Sequence, residues 1–265
     1  MYAEERQQAI ANEVRERGRV SVAELSHRFD VTGETVRRDL AVLAQAGQVT
    51  RVHGGAVRAD VGVIVDEADL PARQRSHQPE KKAIGAAALD LLPPSGGTVL
   101  FDAGTTTHQA ASALAAAQPA DTRLTLVTNS LPIAATLTDA CSAGAQRREV
   151  LMTGGRLRPK TQAAVGTATI EQLGRLRLSV GFLGTNGLSV RHGLSTPDPE
   201  EAAVKRAMIA AVDRVVVLAD SSKINREDLV SFGDLDEVDV LITDRGIDAA
   251  FAAELAARDI EVVIA

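Results

Sequence analysis

The sequence predicts an α/β protein of two parts, a small helical unit with a β wing ahead of a larger α/β domain with a mostly parallel sheet. Three observations carry this. Short helical patterns separated by turn residues fill the first 47 positions and lead into one alternating β segment. Beyond residue 80, short β-branched runs alternate with Ala-rich stretches. Charge divides at the same place: residues 1–58 hold nine Arg against eight acidic residues, and the remainder holds 20 Lys and Arg against 27 acidic residues. The formal net charge of −6 therefore belongs to the second part, which points to two regions with different partners.

The elements follow in order. Glu4 to Arg17 sets Ile10 and Val14 on one helical face and stops at Gly18. Ser21 is placed to cap a second helix, "VAELSHRF", with Val22, Leu25 and Phe29 along one side. Thr32 caps a third that runs to about Ala46 and stops at Gly47. "QVTRVHGGAV" then alternates apolar and polar residues before Gly-Gly, as a short strand or hairpin does. Three helices and a β wing outline a winged helix-turn-helix over residues 1–58. Residues 59–79 lose clear periodicity and read as a linker. From 80 to 265, "TVLFDAG", "LTLVTNS", "EVLMTGG", "SVGFLGTNG", "RVVVLADSS", "DVLITD" and "IEVVIA" read as strands of a helix-covered, mostly parallel sheet.

Composition narrows the functions. At 265 residues and 45% hydrophobic, the chain is long and apolar enough for two folded domains. It has no Trp, one Tyr and five Phe, which opposes recognition of single strands by base stacking. Cys141 stands alone, which excludes an intrachain disulfide and a cysteine-rich zinc site. Neither a cofactor nor a metal is expected. "MYAEERQQAI" lacks the apolar core of a signal peptide. The longest uncharged run, Ala103 to Ala120, is too broken by polar residues and Pro to span a membrane. A soluble cytoplasmic protein with no membrane partner is expected.

The third helix holds the first candidate site. With Val36, Leu40 and Leu43 toward the core, a rotation of about 100° per residue points Arg38 outward. Glu34 and Gln45 share that side, Thr35 and Arg37 lie on the two flanks, and Asp39 lies near the edge of the buried face. An outward arginine early in such a helix can bridge guanine O6 and N7 in a major groove, or grip phosphate. Thr32 and Thr35 are placed to bind phosphate beside the helix N-terminus. An isolated Arg-Arg pair more often marks a solvated face. Here two preceding helices, the Thr32 cap and a wing bearing Arg51 and His53 favour the DNA reading. Asp39 is expected to pair with an arginine or a backbone amide, and a structural role for His53 is as good a reading as a phosphate contact.

Arg6, Ile10 and "VSVAELSHRFDVTGETVRRDLAVLAQAGQVTRVHGGAV" closely resemble the N-terminal signature of the DeoR family of bacterial transcriptional regulators. The resemblance implies that Thr35, Arg37 and Arg38 contact double-stranded operator DNA. Gly33 departs from an ordinary helix former in the first turn.

The second candidate site follows the first of the predicted strands. In "FDAGTTTHQAASALAAA", Asp102 ends the strand, Gly104 allows close backbone approach, and three threonines open a helix whose amides favour anions. Threonines also cap helices for structural reasons alone. Other strand ends are expected at the same sheet edge, with Asn129 and Ser130, Gly154 and Gly155, Asn186 and Gly187, and Asp220 and Lys223. "EEAAVKRAMI" adds Glu201, Lys205 and Arg206 on a helix, where most of the charge is expected to be solvated.

These segments also resemble the DeoR family, through Asp-x-Gly-Thr-Thr, Thr-Asn, Gly-Gly, the "EEAAVKRAMI" helix and the Asp-Ser-Ser-Lys strand end, with Ala103 where serine is frequent. The match runs from Arg6 to about Arg226 and is weakest in the linker. It implies an effector domain related to sugar-phosphate isomerases that binds phosphorylated sugars, with Asp102, Gly104, Thr105, Thr106, Asn129, Gly155, Glu201 and Lys223 as ligand residues. The opening residues and overall pattern look most like the fructose-utilisation branch of the family, which implies fructose 1-phosphate. The expected function is a repressor of a sugar-utilisation operon, not an enzyme, acting as a homodimer or higher homo-oligomer. The alternative is an isomerase-like enzyme with a DNA-binding arm, in which Asp102, Glu201 and Lys223 would move protons. A sequence-independent nucleoid protein is disfavoured by the near-neutral arm.

Overall fold

The structure, a computed structural model, describes residues 3–17, 19–46, 48–52, 55–58, 69–117, 123–143 and 148–265. The chain divides into two units, Met1–Val65 and Asp66–Ala265.

In the first unit, α1 (Ala3–Arg17), β1 (Arg19–Ser21), α2 (Val22–Phe29), α3 (Gly33–Gln45), β2 (Val49–Val52) and β3 (Gly55–Arg58) follow in order. β3 pairs antiparallel with both β1 and β2. β1 was not expected, because three residues carry no readable period. The Ser21 hydroxyl accepts from Glu24 N at 3.1 Å while the Glu24 carboxylate accepts from Ser21 N at 3.0 Å, a capping box that starts α2. Thr32 caps α3 by accepting from Thr35 N at 3.2 Å. The expected stops at Gly18 and Gly47 lie outside the described residues.

Ile10, Val14, Leu25, Val36, Leu40 and Leu43 are buried together, as the helical spacing requires. Each contributes about 1.5–3 kcal/mol on full burial. Two ion pairs set how the helices meet. Arg6 Nε donates to Asp39 Oδ2 at 2.6 Å, Arg6 Nη2 to Oδ1 at 3.3 Å, and Gln7 Nε2 to Oδ1 at 2.9 Å, which joins α1 to α3. Arg28 Nη1 donates to Glu13 Oε1 at 2.8 Å and joins α2 to α1. Asp39 is thus a structural residue, as its place at the edge of the buried face predicts.

The second unit contains α4 (Leu70–Arg75), α5 (Gln78–Ala87), β4 (Thr98–Phe101), α6 (Thr105–Ala116), β5 (Leu124–Thr128), α7 (Leu131–Ala143) and β6 (Arg148–Met152). Next come β7 (Arg156–Arg158), β8 (Ala163–Val165), α8 (Thr167–Leu173), β9 (Val180–Gly184), β10 (Gly187–Ser189), β11 (Gly193–Thr196) and α9 (Pro199–Ala211). β12 (Val215–Leu218), β13 (Val230–Gly233), β14 (Val240–Thr243), α10 (Ala249–Ala256) and β15 (Glu261–Ile264) complete it. Part of the stretch read as a linker, residues 69–79, carries α4 and the start of α5. A six-residue helix spans less than two turns, too short for a hydrophobic period to show.

Seven strands form one sheet in the order β15-β14-β12-β9-β4-β5-β6, and every pair is parallel. The seven β-branched runs are these seven strands. β10, β11 and β13 make a small antiparallel sheet, and β7 pairs with β8. Alternate residues serve opposite faces of the large sheet. Val99 and Phe101 pack with Ile84, Ala110, Leu114 and Ile133 from α5, α6 and α7. Leu100, Leu183 and Val217 pack with Leu173, Met208 and Phe251 from α8, α9 and α10. α5 and α6 touch closely at Gly85, where an added Cβ would stand 2.6 Å from the Gln109 carbonyl carbon.

Replacing Asp39 with Ala strands Arg6 without its carboxylate. Urea denaturation of the first unit is expected to show a loss of about 3 kcal/mol or more.

Candidate functional site

The outer face of α3 is the first site. Arg38 is exposed and, among the described residues, has no hydrogen bond or ion pair. Arg37, also exposed, reaches Glu34 one turn back at 3.4 Å, a pair of little energetic weight in solvent. The Thr32 and Thr35 hydroxyls are hydrogen-bonded at 2.9 Å, so they lie side by side at the helix start. Arg51 lies in β2 opposite Ala56, and His53 lies outside the described residues. Gly33 is not enforced by packing, since an added Cβ would meet Val22 Cγ1 at an ordinary 3.4 Å.

The second site lies where the strand order of the large sheet reverses. From β4 the chain proceeds to β5 and β6 on one side, while β9, β12, β14 and β15 lie on the other. Crevices at the carboxyl ends of strands open at such a switch point. Here Asp102 follows β4 and Gly184 ends β9. Gly184 N donates to Asp102 Oδ2 at 3.0 Å. Lys205, from α9, donates to the same carboxylate and to Gly184 O, the latter at 2.8 Å. Its ammonium also stands over the Phe232 ring, 5.3 Å from the centroid. Burial pushes the Asp102 carboxyl above the usual carboxylate range, and Lys205 and Gly184 N–H oppose that rise.

α6 leaves this crevice with open amides. α2, α3, α9 and α10 start with Ser21, Thr32, Asp198 and Asp248 side chains as caps. α6 starts at Gly104, which has no side chain to cap it. The amides of its first turn have no helical acceptor, and Gly104 and Thr105 line the cleft there. Thr105 and Thr106 are buried beside them. The Gly104 backbone is extended, and an added Cβ would stand 3.0 Å from Thr107 Oγ1. Asn129 ties the edge together: its Oδ1 accepts from Ala103 N at 2.9 Å and its Nδ2 donates to Ala164 O at 3.1 Å.

The expectation of solvated charge on α9 is corrected for two of its three residues. Glu201 and Lys205 are buried, because α9 turns the stripe of Ala202, Val204, Met208 and Ile209 toward the sheet and both charges share it. Lys205 was readable as a charge on an apolar stripe, flanked by Ala202 at i−3 and Met208 at i+3. Glu201 accepts from Arg158 Nη1 at 3.2 Å and from the Thr161 hydroxyl. Arg158 Nε also donates to Asp198 at 3.0 Å, which fastens the β7–β8 hairpin to the start of α9. Arg206 alone stays half-exposed, paired with Glu237. Gly155, at φ 152°, sits where a Cβ would come 2.1 Å from Thr169 Oγ1 and 2.8 Å from Val165 O, so close packing demands glycine there.

Lys223 follows β12 in a separate cluster. Burial pushes its pKa down, Asp220 opposes this, and Arg226 and Arg73 add to it. Asp102, Glu201 and Lys223 thus have different hydrogen-bond and charge partners, although the charge of Glu201 also raises the Asp102 carboxyl.

A small cleft opens at the first turn of α6. Gly104, Thr105 and His108 form one side, Ser130, Pro132 and Thr161 another, and Leu70 and Gln74 of α4 close it. His108 was missed from the sequence. Burial lowers its pKa, and its Nε2 lies 3.0 Å from Thr136 Oγ1. Thr136 gives its own proton to Pro132 O at 3.0 Å. His108 Nε2 must then donate, which leaves Nδ1 as an acceptor. Among the described residues no helix is long and apolar enough to cross a membrane, and no cluster of three His, Cys, Asp or Glu could hold a metal.

A winged helix-turn-helix joined to an α/β unit with an anion-receptive crevice defines a DNA-binding regulator that carries its own sensor. Residues 6–61 match the DeoR-like helix-turn-helix domain, and residues 76–245 match the DeoR C terminal sensor domain. The chain is 36% identical over 263 residues to the HTH-type transcriptional regulator GlpR of Haloferax volcanii, across 99% of this chain and 98% of that one. It is 30% identical over 264 residues to the HTH-type transcriptional repressor GlcR of Bacillus subtilis, across 100% and 97%. It is 32% identical over 244 residues to the glycerol-3-phosphate regulon repressor of Escherichia coli, across 92% of each. Among solved structures, a ribose 5-phosphate isomerase from Methanocaldococcus jannaschii is similar over 56% of this chain and 55% of that one, with TM-score 0.41 and 12% identity. The chain belongs to the DeoR family of transcriptional regulators.

Replacing Lys205 with Met leaves Asp102 buried and unpaired, at an expected cost of about 3–5 kcal/mol. Adding Asp102→Asn to that variant is expected to recover most of the loss. A double-mutant cycle by chemical denaturation measures the coupling.

Proposed function

We propose that this regulator represses a sugar-utilisation operon and leaves its operator when a phosphorylated sugar binds the second unit. The observation that carries the sensing half is the uncapped first turn of α6, which opens on a cleft at the sheet's switch point. Four helices satisfy those amides with a side chain, and α4, α5, α6 and α8 do not; among these, α6 is the one whose start, Gly104 and Thr105, lines the cleft at the switch point. Its amides and dipole suit a phosphate group, and Thr105 supplies a hydroxyl beside them. His108 Nδ1 can accept a hydrogen bond from a sugar hydroxyl.

Gly104, Thr105 and Thr106 are the direct ligand residues in this reading. Asp102, Asn129, Gly155 and Glu201 act one step back by holding the loops that carry them. Lys223 adds positive potential from the neighbouring cluster. On the DNA side, Arg38 reads a base edge, while Arg37, Thr32 and Thr35 hold phosphate, with Arg51 and His53 on the wing. Symmetric half-sites call for a homodimer or higher homo-oligomer working in the cytoplasm. The fructose 1-phosphate suggested by the sequence is the first effector to test.

A thermal-shift panel of phosphorylated sugars tests the sensing half, since a ligand that binds only the native chain raises its melting temperature. The hit is expected to release promoter DNA, and a panel without a stabilising sugar phosphate contradicts the reading. Arg38→Ala is expected to cost about 1–3 kcal/mol in operator binding and to relax specificity at one position, read by anisotropy on single-base operator variants. Gly104→Asp supplies α6 with its own carboxylate cap. It is expected to keep DNA binding while abolishing the thermal shift.

A further inference from the structure

We propose that α4 is a strap that reports whether the cleft is occupied, held in place by Lys81 as its positioning residue. This rests on the reading of the cleft as the sensing site. α4 has six residues and no buried side chain, so apolar burial contributes little to holding it. Yet two of its side chains, Leu70 and Gln74, close the cleft opposite Gly104, Thr105 and His108. Its C-terminal end is fastened from below. Lys81, only 4% exposed, donates through Nζ to Arg73 O and Ser76 O, both at 2.7 Å. Terminal carbonyls of a helix lack helical partners, and a cation is favoured beside them.

The anchor is costly for Lys81 itself. Burial lowers its pKa to about 8, with Asp220 opposing and Lys223 and Arg73 adding to the effect. The buried ammonium is committed to two carbonyls at the C-terminal end of α4, with Asp220 as a supporting negative charge. Its effect is to pin a segment that would otherwise sit at the low-stability end of the fold. A ligand on the first turn of α6 fills the space under Leu70 and Gln74 and gives α4 the packing it lacks. α4 is also the first described element after residues 59–68, which lead from the first unit. Its ordering therefore acts on the segment through which the DNA-binding unit is attached.

Hydrogen–deuterium exchange on the full chain tests this, with fructose 1-phosphate, glucose 6-phosphate and glycerol 3-phosphate as probes and inorganic phosphate as the anion control. With the probe that raises the melting temperature, the amides of residues 70–76 are expected to exchange about tenfold more slowly, while those of α10 stay unchanged. Lys81→Met is expected to speed tryptic cleavage after Arg73 and Arg75 and to shrink the change in promoter affinity on adding the probe. Lys81→Arg, which keeps a cation and donors, is expected to restore both. A probe that stabilises the chain without slowing exchange in α4 overturns the strap and leaves the sensing reading standing. A panel with no stabilising probe removes the sensing reading and the strap with it. Should Lys81→Met fail to fold, the exchange comparison on the unaltered chain decides alone.

Discussion

The bond between the Lys205 ammonium and the Asp102 carboxylate organises the carboxyl edge of the large sheet. It joins the end of β4 to α9, and through Gly184 N–H and C=O to the end of β9. Neither charge is tolerable alone at that depth, because an unpaired buried ion costs several kcal/mol. Each therefore fixes the other, and α9 is held against the switch point. The β7–β8 hairpin then docks on α9 through Arg158, Asp198, Glu201 and Thr161. With Asp102 committed to Lys205, its carboxylate is held by the fold, while the first-turn amides of α6 have no side-chain cap.

The first unit repeats the same logic on a smaller scale. Among the described residues, ten buried apolar side chains form its core, a small core for fixing helix packing by volume. The carboxylate of Asp39 accepts from Arg6 and Gln7 and sets α1 against α3. This places Arg37 and Arg38 on the open side of α3 while their neighbour Asp39 is buried. Three consecutive charged residues thus divide into one internal fastener and two outward cations. The acidic character of the chain lies in the other unit, which removes any conflict between a net charge of −6 and a DNA-reading helix.

What was legible in the sequence follows from how far apart the interacting residues lie. The seven strands of the large sheet were readable because both faces are covered and each strand is a continuous β-branched run. Ser21 and Thr32 were readable as caps because their partners are three residues away. β1, β7, β8, β10, β11 and β13 were not, since these three- and four-residue strands carry no continuous β-branched run. Lys205 meets Asp102 across 103 residues and Arg158 meets Glu201 across 43. Nothing local announces such contacts, although a lysine on an apolar stripe was a signal left unused. α4 and Lys81 escaped for the same reason, a six-residue helix fastened by a side chain that looks like any surface lysine.

Coupling between the α6 cleft and the α3 surface, as proposed, must be reciprocal. The direct measurement is a calorimetric titration of the stabilising sugar phosphate into the full chain, free and bound to its promoter DNA, beside the DNA affinity with and without the sugar. DNA is expected to weaken sugar binding by the same factor by which the sugar weakens DNA binding, about 5–150-fold. Equal sugar affinity for the free and the DNA-bound chain would contradict it.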